Sequence, residues 1–131
     1  MTNEVTLIKS EFVEAVSEEF TPDFIVHGIY FGEGDPEQGG EHWNFTRSLE
    51  TDDDGVCTVK EIQQVTIYGG ISRFILERNH ITCEFDEQNS RETGTKKIEI
   101  VFDISEKEWE KLVEKAKLVF SGESYFEIAP Q

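Results

Sequence analysis

The sequence predicts an α+β domain spanning residues 1–131: a mostly antiparallel, meandering sheet of about seven strands with one C-terminal helix packed on a face. Three observations carry that expectation. Apolar residues recur at period two, or run without a break, in short segments bounded by turn residues. Gly69-Gly70 and Arg78-Asn79 fit tight reversals between such segments. Only one segment, near the C-terminus, places apolar residues at helical spacing behind a capping signature.

In chain order, VTLIKSEFVEAV (5–16) is rich in β-formers and reads as an early strand, after which SEEFTPD turns the chain at Pro22. FIVHGIYF (24–31) is apolar almost throughout, the composition of a strand buried on both faces. GEGDPEQGGE (32–41) is a loop. In HWNFTRSL (42–49), Trp43, Phe45, Arg47 and Leu49 share one face. VCTVKEI (56–62) is a further strand. Closing Gly69-Gly70 as a two-residue hairpin loop pairs Tyr68 with Ile71 and Val65 with Phe74. Turning again at Arg78-Asn79 pairs Leu76 with Ile81, Phe74 with Cys83 and Arg73 with Glu84. Val65, Ile67, Phe74, Leu76, Ile81, Cys83 and Phe85 then form one apolar face. EQNSRETGT (87–95) reads as a polar loop, and KKIEIVFD (96–103) as a strand with Ile98, Ile100 and Phe102 inward. Ser105 and Glu108 have capping-box spacing. Trp109, Leu112, Val113, Ala116, Val119 and Phe120 make the helical stripe, and Gly122 suits the helix end. That stripe is expected to cover the apolar face just described. SYFEI (124–128) closes the chain as a short strand.

Twenty-eight acidic residues oppose 12 basic ones, for a formal net charge of −16. Such a chain repels phosphate backbones and anionic bilayers, so the expected partners include no nucleic acid and no membrane; a basic protein would be attracted. The start, MTNEVTLIKSEF, lacks a signal-peptide core, and the expected setting is the reducing cytoplasm. Cys57 and Cys83 form neither a CxxC pair nor a zinc site.

The stretch ETDDDGVCTVKE (50–61) overlays a calcium loop, with Glu50, Asp52, Asp54, Gly55 and Glu61 at the expected positions. An EF-hand needs helices on both sides, and both flanks here read as strands. In a strand rising ~3.3 Å per residue, Glu61 lies about 20 Å from Gly55, too far to share an ion with Asp52 and Asp54. The stretch therefore reads as a strand-to-strand turn with a solvated tip, and only an incidental cation remains as the alternative.

A catalytic set is not evident. His27 sits in an apolar strand and reads as a hydrogen-bonded core residue, His80 as a turn residue, and His42 as the border of the Gly-rich loop. Cys83 falls on the core face, and Cys57 follows an acidic tip that disfavours a thiolate. GEGDPEQGG is Gly-rich but acidic, a poor phosphate cradle. The chain reads as a non-enzyme that needs no cofactor.

From about residue 43 to 120 the chain presents WNFTRSLE, an acidic break, GVCTVKEIQQ, IYGGISRFILERNHITCEF, KIEIVFDIS and the helix WEKLVEKAKLVF. As an ordered set these resemble the tenth immunity-protein family of bacterial polymorphic toxin systems. There, an aromatic-and-Arg strand is similar to FTRSL, an acidic stretch enters a short strand as DDDGV does, and a Gly-Gly turn follows like Tyr68-Gly69-Gly70-Ile71. The resemblance implies a mostly β fold, a gene beside a toxin gene, and a cytoplasmic protein that binds and neutralises its cognate toxin. Many such toxins attack nucleic acid and present basic clefts, which an acidic surface can fill. The candidate contact residues are Glu33, Asp35, Glu37 and Glu41 in the Gly-rich loop, Asp52, Asp53 and Asp54 at the tip, and exposed Tyr68. Trp43 and Tyr30 are secondary aromatic candidates that also read as core. The alternative function is a small β-rich binding domain that uses a pocket between sheet and helix. The oligomeric state is not specified by the sequence.

Overall fold

The computed structural model describes residues 2–50, 52–61 and 65–130. Among these, ten strands follow in chain order: β1 (Thr6–Lys9), β2 (Phe12–Thr21), β3 (Phe24–Gly32), β4 (His42–Arg47), β5 (Cys57–Lys60), β6 (Val65–Tyr68), β7 (Ile71–Glu77), β8 (His80–Phe85), β9 (Lys97–Val101) and β10 (Phe126–Ile128). Helix α1 (Glu87–Thr93) joins β8 to β9, and α2 (Glu106–Val119) joins β9 to β10. The fold class is the expected one, β-rich α+β with a C-terminal helix. The strands, however, form two five-stranded sheets rather than one. The first sheet, ordered β2-β3-β4-β5-β6, is antiparallel throughout. The second is ordered β1-β9-β8-β7-β10 and adds a parallel strand at each edge.

Further expectations are corrected. The segment 5–16 is two strands, because the chain crosses from the second sheet to the first at Ser10. The Gly32 amide donates to the Ser10 hydroxyl at 3.0 Å, which pins the crossing. SEEF continues β2, and the turn itself is Pro22-Asp23. The Gly69-Gly70 pair does adopt positive φ, +70° and +78°, yet it closes no hairpin. β6 pairs with β5, Tyr68 lying opposite Cys57, while β7 pairs with β8 and β10. Two left-handed residues here carry the chain from one sheet to the other. A Cβ at residue 70 would collide with the Asn89 side chain, so the crossing also needs glycine for space. The continuous apolar face expected for residues 65–85 is thus two inner faces looking at each other.

Another correction is α1, expected as a polar loop. Its signals are at its ends: the Asp86 carboxylate accepts from the Asn89 amide at 2.8 Å, and Gly94 closes the helix at φ +83°. The pairs Leu76↔Ile81, Phe74↔Cys83 and Arg73↔Glu84 occur as expected. So does the capping box of α2, with Ser105 and Glu108 each accepting from the other's amide.

The core lies between the two sheets. Phe45 of the first sheet meets Phe74 of the second edge to face at 5.2 Å, and Trp43 stacks on Phe85 at 5.9 Å. The stripe of α2 packs on β2, β3 and β4, not on the β7–β8 face. Its last turn places Phe120 4.2 Å from Phe74 and 6.2 Å from Phe45. Phe126 of β10 then stacks on Phe120 at 4.8 Å. Truncating a fully buried ring of this kind removes its transfer free energy and leaves a cavity. Phe74→Ala is expected to destabilise by about 3–5 kcal/mol in urea unfolding. Combined with Phe120→Ala, it should cost less than the sum of the two single changes, since the rings share one contact.

Candidate functional site

The outer face of the first sheet is covered by neither helix nor strand among the described residues. Period-two alternation sends Val13, Ala15, Ile29, Phe31, Trp43, Phe45, Thr58 and Ile67 into the core, so their neighbours point to solvent. On that outward side lie Glu14, Val16, Glu18, Phe24, Val26, Tyr30, Asn44, Thr46, Cys57, Val59 and Tyr68. Tyr30 folds its ring across Gly28, where a Cβ would collide with the ring. Burial, and then the charges of Glu18 and Glu14, raise its phenol above the ordinary range. Phe20 and Phe24 touch at 5.3 Å, 59% and 44% exposed, and Tyr68 is 62% exposed.

Two acidic segments bound this face at opposite ends. β4 runs between them, and its six residues span about 20 Å. In the Gly-rich loop the Asp35 carboxylate accepts from the Glu37 amide at 2.9 Å, and its carbonyl accepts from Gln38 and Gly40. The Glu33 carboxylate accepts from the Lys9 amide at 3.0 Å. Glu33 and Asp35 line a groove of about 440 Å³ there, while Glu37 is exposed. Glu41 faces inward instead: it accepts from the Trp43 indole at 3.3 Å and lies 3.8 Å from the Lys60 ammonium.

At the other end, the Arg47 guanidinium donates to both oxygens of Asp53, each at 3.0 Å, and to the Ser121 carbonyl at 2.6 Å. This cation sits at the C-terminus of α2, where the helix dipole is negative, and ties the acidic tip to the helix. The Arg47 pair, and then the Gly55 amide, hold the Asp53 carboxyl below its usual range. Asp52 and Asp54 make no side-chain hydrogen bond or ion pair among the described residues. With Tyr68, Phe24, Val26 and Cys57 they line a groove of about 430 Å³. The Tyr68 phenol is raised first by Cys57, opposite it across the strands, with Asp54 adding to the shift. The structure therefore brings Asp52, Asp54 and Tyr68 together, and Glu33 with Asp35. It commits Asp53 and Glu41 to internal partners. Trp43 is fully buried and serves the core.

Sequence reasoning missed two features. Lys60 is buried on the inner face, its ammonium donating to the Thr93 carbonyl at 3.2 Å and lying 5.5 Å from the Trp43 ring centre. Its alternation with Val56 and Thr58 was the available signal. The second feature is a segregation of charge. Between Lys9 and Lys60 the chain holds thirteen Asp and Glu against one basic residue, Arg47, which points inward.

His27 is a hydrogen-bonded core residue, as expected. Its Nδ1 lies 2.7 Å from the Ser17 hydroxyl and its Nε2 3.1 Å from the Glu50 carboxylate. With a neutral imidazole, Nε2–H donates to the carboxylate and Nδ1 accepts from the Ser17 hydroxyl. These contacts tie the β2–β3 hairpin to the segment after β4. The second half of the calcium-like stretch is strand β5, and the Glu61 carboxylate just beyond it accepts from Asn44 across the sheet at 3.1 Å. Burial pushes the Cys83 thiol well up, in keeping with a core hydrophobe.

A family model described as Immunity protein 10 matches residues 16–110, a span that contains both acidic segments and Tyr68. No curated protein and no solved structure matches the chain.

The Arg47–Asp53 tie makes an acid-side prediction. A carboxylate held low in the folded state stabilises above its unfolded pKa, and that stability is lost as pH falls through the folded value. The gap between wild type and Asp53→Asn in urea unfolding is expected to be constant above about pH 5 and to close as pH falls through the lowered folded-state range of the carboxyl. Arg47→Met should destabilise by about 2–3 kcal/mol near neutrality, as charge-assisted bonds to the tip and helix end are lost.

Proposed function

The chain belongs to the Immunity protein 10 family, and from that membership we propose that it binds its cognate toxin and blocks it by covering the toxin's working surface with its own acidic side. The family assignment carries the toxin-immunity role. The observation that supports the finer reading is the segregation of charge: thirteen acidic residues and one inward-facing arginine between Lys9 and Lys60. A one-signed surface steers an oppositely charged partner during diffusion and discriminates against like-charged ones. Asp52, Asp54 and Tyr68 at one end, and Glu33, Asp35 and Glu37 at the other, are the outward groups best placed to meet a basic toxin. The inhibitor works by occupying space and charge, with no bond made or broken, and it acts in the cytoplasm, where an incoming toxin would be met.

A second reading has one observation behind it. A cleft of about 320 Å³ opens between β2 and α2, lined by Val13, Ala15 and the stems of Lys107 and Lys111. That is at the lower limit for a small-molecule site.

Salt separates the two. The association rate with the toxin encoded beside this gene, followed by stopped-flow fluorescence, is expected to fall about tenfold or more between roughly 50 and 500 mM salt. A salt-independent rate, or no binding, removes the charge-driven reading.

A further inference from the structure

Resting on that toxin-binding reading, we propose that the outer face of the β2–β6 sheet, between the two acidic loops, is the surface that docks a cationic face of the toxin, with Phe20, Phe24 and Tyr68 as its apolar anchors. Nothing else in the described chain covers this face. α2 packs on the inner side of β2, β3 and β4, and α1 meets β6 and β8. Among the described residues, exposed Phe20, Phe24 and Tyr68 lie on it near the acidic tip, Phe20 touching Phe24 and Phe24 sharing a groove with Tyr68, while exposed Phe12 lies at its other end against His42. Clustered exposure of that kind marks an interaction surface rather than ordinary solvent contact.

Charge selects the occupant. No Lys or Arg stands at an outward position of β2 to β6, whereas Glu14 and Glu18 do, and Asp52 and Asp54 border the groove beside Tyr68 and Phe24. The opposite face of the molecule is mixed, with Lys9, Arg73 and Lys97 interleaved among Glu77, Glu84 and Glu99. A second copy of this chain would set Glu14, Glu18, Asp52 and Asp54 against their like, which disfavours self-pairing. An arginine side chain suits the site better than any other group, since it stacks on an aromatic ring while donating to a carboxylate. Five strands of four to ten residues, spaced ~4.8 Å apart, give a face on the order of 500 Å². The bordering loops bring it toward the ~800 Å² each partner buries in an interface of ordinary size.

The test is a titration of isotope-labelled chain with an inactivated form of the toxin encoded beside this gene, read by amide chemical shifts. The expected result is perturbation of Val16, Val26, Thr46, Val59 and Tyr68, with Ile75, Thr82 and Val101 unmoved. Tyr68→Ala and Phe24→Ala should each weaken the Kd by about tenfold with little change in Tm, because both rings are solvent-facing. Perturbations confined to the β1–β9–β8–β7 face or to α2, with the variants binding as wild type, overturn the assignment. So does a homodimer in sedimentation that hides the same amides. If wild type binds no toxin at all, the toxin-binding reading fails, and this surface fails with it.

Discussion

The ring of Phe74 stands 4.2 Å from that of Phe120, 5.2 Å from Phe45 and 5.9 Å from Phe126. One side chain of the second sheet thereby touches the C-terminal helix, the first sheet and the last strand at once. Each of these elements is amphipathic and cannot shed its apolar side alone. Their relative placement is set where the four rings meet, and interiors packed at this density adjust only by moving neighbours. The Arg47 clamp is the polar counterpart. It draws the acidic tip and the end of α2 onto the same inner-face residue, so the tip's position follows from the core.

This has a bearing on the toxin-binding role proposed above. Binding through a surface already held in shape leaves less conformational entropy to be lost on association. The face carrying Phe24, Tyr30 and Tyr68 is built on hydrogen-bonded strands, and its bordering acids come from loops that are themselves tied. Asp35 organises one loop through its own carbonyl and carboxylate, and Asp53 fixes the other through Arg47. The committed carboxylates position the uncommitted ones. Asp53 thus contributes to the surface indirectly, by holding the tip that carries Asp52 and Asp54.

What was legible in the sequence was local. The Arg78-Asn79 turn set the β7–β8 register, and Ser105 with Glu108 marked the start of α2, because each depends on residues a few positions apart. Period two also told inward from outward on both sides of Gly69-Gly70, except at Ile71, expected outward with Tyr68 but turned into the core by the register shift before Arg73. It could not tell which sheet a strand joins, since a facing sheet and a hairpin neighbour bury the same alternate residues. Positive φ at two glycines serves either path. Helix α1 escaped because only Ser90 and Thr93 of its seven residues are buried, leaving no apolar stripe to detect. For the site, sequence named the acidic segments and Tyr68, but a carboxylate looks the same in a string whether it faces water or an arginine. Lys60 shows the converse, a cation whose inward position only the strand pairing reveals.

The crossing at Gly69-Gly70 also shapes the order in which the molecule can be made. All five strands of the first sheet precede it and pair with their immediate neighbours in the chain, so that sheet can assemble while the ribosome is still at work. The second sheet has to wait: its edge strand β1 is among the first segments to emerge, yet Thr6 pairs with Ile98. Through that interval the apolar side of a finished half-sandwich stays open to water, and closure by so distant a pairing is the slow step that topology imposes.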